Sequence, residues 1–301
     1  MTTAESRWPK ARVVLLLCAL SVAAPAGATT ALDTAKIEQL TGAQGTLDQS
    51  EGVFKVSVPR SDLAVTVAGV KMTPPLGLTS WAAFQTAGER TMVMGDMVLL
   101  DDQVSAAMDA ALNNGLEVTA LHNHFLWDTP KIMFMHVGGM GDTEALAAAI
   151  GNVFAAIKGT SGGKGRVPAV AIDPGSSTLD SAVLDGVLGV KGTMGGGVYK
   201  IVIGRPATMH GHPIGGAMGV NTWAAFAGSD AQAVVDGDFV MRESELQPVL
   251  KALRAAHIDV VAIHNHMTME EPRTLFLHYW GIGSTRSLAS GLRAALAVQG
   301  K

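Results

Sequence analysis

The sequence His-Asn-His occurs twice, as His122-Asn123-His124 and His264-Asn265-His266, and each copy is followed twelve residues later by another histidine, His136 or His278. Every member of the second trio lies 142 residues after its counterpart, and the six account for most of the chain's nine histidines. Three imidazoles gathered at one point hold a borderline divalent ion while leaving a coordination position open, which makes all six candidate metal ligands. Zn²⁺ suits such a set best, with Cu²⁺ as the alternative. Between the second and third histidine of each trio lies an acid, Asp128 in one copy and Glu270 in the other, with Glu271 next to the latter. These three carboxylates are candidates for a fourth ligand or for the base that moves a proton at the site.

A strand places residues two apart on one face, about 6.6 Å from each other, so His122 and His124 project together and Asn123 points away. The pattern predicts a strand over Leu116–His124, a proline-containing turn over Phe125–Lys131 and a returning strand over Ile132–Val137 that brings His136 to the same face. Upstream, alternation predicts strands at Val53–Val58, Leu63–Val70, Ser80–Gln85 and Thr91–Leu99, and at Val198–Ile203 in the second half. Gln103–Asn114 reads as a helix with an apolar stripe of Val104, Ala107, Met108 and Ala111, closed by Asn114-Gly115. Its counterpart carries Leu246, Val249, Leu250 and Leu253, with Ser244 as the expected N-cap, and Asp142 and Ser284 are expected to cap a closing helix. Each unit is therefore ββββαββα, an α+β domain with a mostly antiparallel sheet.

The duplication extends well beyond the histidines. Trp81-Ala82-Ala83-Phe84 matches Trp223-Ala224-Ala225-Phe226, Gly95-Asp96 matches Gly237-Asp238, and Pro130, Phe134, Gly139 and Gly141 match Pro272, Phe276, Gly281 and Gly283. Towards the N-terminus the offset becomes 147, where Leu32-Asp33 matches Leu179-Asp180. The expected organisation is a first repeat domain over 32–157, a linker over 158–178 and a second repeat domain over 179–301, with the two repeats packed on each other about a pseudo-twofold axis.

Arg7, Lys10 and Arg12 precede an apolar run from Val13 to Ala24, and Ala26-Gly27-Ala28 offers small residues for cleavage, so residues 1–28 read as a signal peptide. The expectation is an exported protein, periplasmic or secreted, with no transmembrane segment once the signal is removed. Cys18, the one cysteine, leaves with it, so a mature chain has no disulfide and no thiolate ligand. Loss of three basic groups and one acidic group moves the formal charge from −4 to −6. A mildly acidic chain without a basic stripe lacks the footprint of a nucleic-acid partner, which also argues against the nuclease class named after the His-Asn-His string.

Other duplicated residues have plainer readings. Trp81, Phe84, Trp223 and Phe226 read as core aromatics, and Gly95-Asp96 and Gly237-Asp238 as turns between strands. Met133, Met135 and Met140 flank the first trio, but Leu275, Leu277 and Ile282 replace them in the second, so they read as packing rather than as copper ligands. Asn123 and Asn265 read as residues that tie down backbone. His210 and His212, whose counterparts are Ala68 and Val70, are either an additional ion site or an exposed loop pair, and His257 matches Gly115 at a helix end.

Leu121-His122-Asn123-His124, Thr222-Trp223-Ala224-Ala225-Phe226 and Pro272-Arg273-Thr274-Leu275-Phe276-Leu277-His278 are the stretches in which the chain resembles the LppY/LpqO-type family of exported bacterial proteins. That resemblance spans residues 32–301 and implies a domain of unknown function present in two copies. The His-x-His trio is also similar, over about twenty residues per copy, to the zinc-holding sheets of acetolactate decarboxylase, which implies a metal and leaves the small-molecule or envelope ligand unnamed. Two functions follow. One is a zinc-dependent hydrolase or lyase acting on a small molecule, because such a centre lowers the pKa of bound water to about 7. The other is a non-catalytic metal- or ligand-binding module of the cell envelope.

Overall fold

A computed structural model describes residues 31–300. The signal peptide expected over residues 1–28 lies outside the described residues. The first repeat runs α1 (Thr34–Thr41), β1 (Gly45–Asp48), β2 (Val53–Pro59), β3 (Thr66–Val67), β4 (Val70–Lys71), β5 (Thr79–Ala87), β6 (Arg90–Leu100), α2 (Val104–Asn113), β7 (Glu117–His122), β8 (Asp128–Thr129), β9 (Ile132–Gly141) and α3 (Thr143–Gly159). The second runs α4 (Ser181–Leu188), β10 (Thr193–Gly195), β11 (Val198–Gly204), β12 (Ala207–Met209), β13 (His212–Ile214), β14 (Asn221–Gly228), β15 (Ala233–Arg242), α5 (Leu246–Ala255), β16 (Asp259–His264), β17 (Glu270–Glu271), β18 (Thr274–Gly283) and α6 (Thr285–Ala297). This is an α+β protein of two tandem units with antiparallel sheets.

Twelve strands, six from each unit, join in one sheet, in the order β1-β2-β5-β6-β9-β7-β16-β18-β15-β14-β11-β10. The order is a palindrome of equivalent strands about the β7–β16 junction, where Leu121 pairs antiparallel with Ile263. Leu121 and Ile263 are themselves equivalent residues, so the pseudo-twofold axis passes through their pair. Side chains extend the junction. The Gln247 amide donates to the Val118 carbonyl (2.9 Å) and accepts from its N–H (3.1 Å), standing in for a strand neighbour. Arg254, on α5, forks onto Asp109 of α2 and also reaches Asp259.

The alternation of β-residues sorts the sheet into two faces. Val93, Met97 and Leu99 of β6 and Met135 and Val137 of β9 face the helices, where Ala107, Met108, Ile150 and Val153 bury them in one core shared by both repeats. Intervening residues face the other side, which carries no α-helix among the described residues and is covered in part by two small sheets, β4-β3-β8 and β13-β12-β17. Val98, Ile132 and Phe134 pack there against Val65, Met72 and Leu78, and Val240 and Phe276 against Ala207 and Val220.

Several local expectations change. Leu63–Val70 is not a strand of the main sheet. It is a loop leading into the β3–β4 hairpin, whose turn needs left-handed backbone at Ala68 and Gly69. Gly95-Asp96 and Gly237-Asp238 are not turns, because they lie in mid-strand in β6 and β15. Ser244 does not cap α5, since a 3-10 turn over Glu243–Glu245 leads straight into it. Each unit also begins with a helix that periodicity did not suggest, α1 and α4, capped by Asp33 and Asp180. Asp142 and Ser284 cap α3 and α6 as expected, and His257 takes the left-handed position after α5, as Gly115 does after α2.

Candidate metal centre

Four strands build each histidine site on the helix-free face. In the second repeat, β14, β15, β18 and β16 bring Trp223, Asp238, His278 and Ala262 into one row by direct register. In the first, Trp81, Asp96, His136 and Ala120 form the equivalent row. His264 and His122 follow two residues after those alanines, on the last residue of their strands. The strands end there, so His266 and His124 are held differently from the expected strand continuation. Each lies flat on a phenylalanine of the returning strand, His266 on Phe276 with ring centroids 3.6 Å apart and His124 on Phe134 at 3.4 Å.

The second site is the tighter one. Asp238 Oδ2 is 2.9 Å from His266 Nε2 and 3.9 Å from His264 Nε2, and the two Nε2 atoms are 3.1 Å apart. His278 stacks on His264 with centroids 4.5 Å apart. Two backbone carbonyls set the tautomers. His266 Nδ1 donates to the Gly219 carbonyl (3.3 Å) and His278 Nδ1 to the Gly237 carbonyl (3.4 Å), because a carbonyl can only accept. In its neutral form His266 therefore turns an Nε2 lone pair towards Asp238 and His264, as a ligating histidine does when a second group fixes its other nitrogen.

This leaves an electrostatic deficit. The His266 lone pair faces a carboxylate oxygen and a second imidazole, and one proton can satisfy only one of those contacts. Asp238 is 1% exposed, and its Oδ1 and the His264 Nδ1 have no hydrogen-bond partner. Burial raises the Asp238 carboxyl above the ordinary range, against the pull of His278 and His266. Burial, with repulsion from His278 and His266, lowers His264 to about 4. A cation among Asp238 Oδ2 and the Nε2 atoms of His264 and His266 would offset the buried carboxylate's charge and take up nitrogens that otherwise face each other. Four-coordinate zinc with bonds of about 2.0–2.1 Å separates its ligands by about 3.3 Å, close to the spacings observed. Asp238, His264 and His266 are thus placed to hold a metal ion, and among the described residues they are the group of three or more such side chains whose ligand atoms all lie within 4.8 Å of one another.

The first site gathers the same residue types less closely. His122 is 5.1 Å, centroid to centroid, from both His124 and His136, and Asp96 again has a buried, unpartnered Oδ1. Burial lowers the His124 pKa, with Asp96 opposing and His122 and His136 adding to the shift. Phe125, where the second repeat has Met267, meets His124 and Phe134 edge-on and reaches over Gly77, the counterpart of Gly219.

The acids between the histidines do not join them. Asp128 Oδ2 accepts from the Ile132 N–H (2.7 Å) and Oδ1 from Lys131, while Glu270 Oε1 accepts from the Thr274 N–H (2.9 Å) and hydroxyl, with Arg273 alongside. Both staple the turn that contains a cis proline, Pro130 or Pro272. Glu271 is exposed and pairs through its backbone with β12. The carboxylate that the fold aims at the imidazoles is instead Asp96 or Asp238. Its signal was present in the sequence as an acid on an alternating apolar strand, Thr91 to Leu99, repeated at the 142-residue offset. Asn123 and Asn265 serve the loop, Asn123 donating to the Phe125 carbonyl and Asn265 accepting from Arg273. His210 and His212 are exposed on the β12–β13 hairpin, with His210 left-handed at its tip. Phe84 and Phe226 are core residues, whereas Trp81 and Trp223 are half-buried on the open face beside the acids.

Fold and site together define a twin-repeat α+β protein with an Asp/His/His cluster placed for a metal ion. The chain belongs to the family described as Domain of Unknown Function (DUF1259), which matches it twice, over residues 35–156 and 182–298. No curated protein matches it. Among solved structures, a trimeric bacterial microcompartment shell protein, PduB, is similar at 12% identity with a TM-score of 0.20, covering 84% of this chain and 89% of that one. No helix among the described residues is long and apolar enough to cross a membrane.

Proposed function

We propose that this is an exported metal-binding protein in which Asp238, His264, His266 and His278 hold a divalent ion, best fitted by Zn²⁺, and Asp96, His122, His124 and His136 hold a second. The observation that carries the reading is the buried Asp238 carboxylate 2.9 Å from the His266 Nε2, which is itself 3.1 Å from the His264 Nε2. The mixed nitrogen and oxygen donor set suits zinc, and the lack of sulfur argues against Cu(I). Export rests on the basic and apolar pattern of residues 1–28 and on the likeness to LppY/LpqO-type proteins.

The site opens onto a face without helices, and His264 and His266 keep 27% and 29% of their side chains exposed, so a small molecule can reach the ligands. A bound divalent ion supplies Lewis acidity, the chemistry used in hydrolysis or in decarboxylation of a small oxo- or hydroxy-acid. On this reading Asp238 and the imidazoles hold the ion, and the hydrolase or lyase role outranks a passive one. The second reading, a metal-storage or ligand-binding module, is favoured by one feature: a further imidazole, His278, stacks on His264 beside the cluster and would be the group to close a fourth position.

Metal analysis of protein purified without a histidine tag tests the proposal, beside His266→Ala and His124→Ala. Bound zinc that falls on His266→Ala supports the second-repeat site, and a further loss on His124→Ala supports the first. Metal content unchanged by both substitutions refutes the assignment.

A further inference from the structure

Beside each candidate metal centre, the same sheet row carries an indole with a lysine on top of it. Lys200 Nζ lies 4.3 Å from the Trp223 ring centroid, and Lys55 Nζ lies 4.1 Å from that of Trp81. Trp223 is the direct register neighbour of Asp238, and Trp81 of Asp96. Neighbouring strands are about 4.8 Å apart, so each indole stands one strand from the carboxylate on one side, and the third histidine stands one strand away on the other. The two lysines reach this position through different offsets, 145 residues for the lysines against 142 for the tryptophans, because the segment between the lysine strand and the tryptophan strand is three residues shorter in the second repeat (60–78 against 205–220). The pairing has nonetheless been kept on both sides of the molecule.

Neither lysine forms an ion pair among the described residues. The nearest carboxylate by register in the second repeat is the exposed Asp236, one strand beyond Ala225, and its counterpart in the first repeat is Met94. An ammonium group held over a π face keeps most of its charge available to a further partner. With a divalent ion at Asp238 the row is net positive, and it presents two positive points on an open face with an apolar indole between them.

We infer that the Lys200–Trp223 pair, and Lys55–Trp81 in the first repeat, form an anion subsite that binds the far carboxylate of a small organic acid whose other end reaches the metal centre. This rests on the metal-binding reading above and names its ligand class. The indole floor suits the short aliphatic stem joining the two ends, and the lysine, being mobile on its own stem, tolerates some variation in length.

The test is calorimetric titration of the full zinc-loaded protein with succinate and with monomethyl succinate, which lacks one charge. Wild type is expected to bind succinate at least about tenfold more tightly than its monoester, the order of one charge-assisted hydrogen bond. In Lys55→Met/Lys200→Met that preference is expected to vanish, while zinc content by mass spectrometry stays at the wild-type value. Lys55→Arg/Lys200→Arg is expected to retain it. An equal preference in the methionine variant, or no succinate binding by zinc-loaded wild type, overturns the inference while leaving the metal assignment standing. A wild-type protein that takes up no zinc instead sinks the metal reading itself.

Discussion

Replacing Asp238 by Asn separates a metal ligand from a merely structural carboxylate, because the two roles predict opposite signs with and without the ion. In chelator, wild type keeps a buried carboxyl whose Oδ1 is unpartnered and whose charged form burial disfavours. Asparagine removes that charge, and its amide can donate to the inward-turned Nε2 of His266, which sits 2.9 Å from Oδ2. The chelated variant should therefore match or exceed wild type by about 1 kcal/mol. With metal the order reverses. At a free metal concentration of about 100 times Kd, binding stabilises wild type by about 2.7 kcal/mol; a hundredfold weaker site retains only about 0.4 kcal/mol. The lost 2.3 kcal/mol, by that same relation, corresponds to about 4 °C in melting temperature for a chain of this size. Thermal melts in excess chelator and in zinc measure both numbers. A variant that melts lower in chelator yet keeps the full zinc-induced rise would refute the electrostatic reasoning.

Four further outcomes follow from the same geometry. Glu270→Ala leaves the buried Thr274 N–H without its acceptor and should cost about 1–3 kcal/mol in urea unfolding, with zinc stoichiometry unchanged. Gly237→Ala should prevent folding or lower stability by more than about 2 kcal/mol, because its Cβ would collide with the Tyr279 hydroxyl and come within 2.4 Å of the Trp223 carbonyl oxygen. Burial raises the Glu245 pKa, but hydrogen bonds from Arg205 and the Arg242 N–H outweigh it and leave the net value depressed. The Arg205 pair is then fully stabilising above the unfolded glutamate value, and that contribution fades as pH falls through the folded one. Glu245→Gln should accordingly cost about 2–4 kcal/mol at pH 7 and progressively less below pH ~4.5, read from denaturant midpoints across pH. His210→Ala/His212→Ala should leave both zinc content and melting temperature unchanged, since those rings stand exposed on a hairpin.

The histidines were legible because their spacing repeats, and the strand-turn-strand that carries them was legible because apolar residues alternate on both sides of a proline. Less local features were not. The joining of two sheets into one rests on a single paired residue, Leu121 with Ile263, supported by Gln247 and Arg254, and no local pattern announces a contact made across more than 100 residues. Helices α1 and α4 are eight residues each with few buried positions, too short for a clear stripe. The Leu63–Val70 stretch is apolar enough for a strand but packs as a covering loop, with Val65 against Met72 and Leu78.

The carboxylates show where the two repeats themselves discriminate between roles. At the turn the acid changes length, Asp128 in one copy and Glu270 in the other, and both still reach a backbone N–H four residues on. A flexible turn absorbs one methylene. In mid-strand the acid does not change: it is aspartate at both 96 and 238, beside three histidines that are also unchanged. Register fixes that backbone on both sides, so an extra methylene would push the oxygen through the point on which the imidazoles converge. Side chains that meet at a shared ion must keep their reach, whereas a staple need only find its partner. By that criterion the sequence contained the acid of the site all along, in the duplicated Gly-Asp pair, which reads as a turn only while the inward and outward positions of its strand are left unassigned.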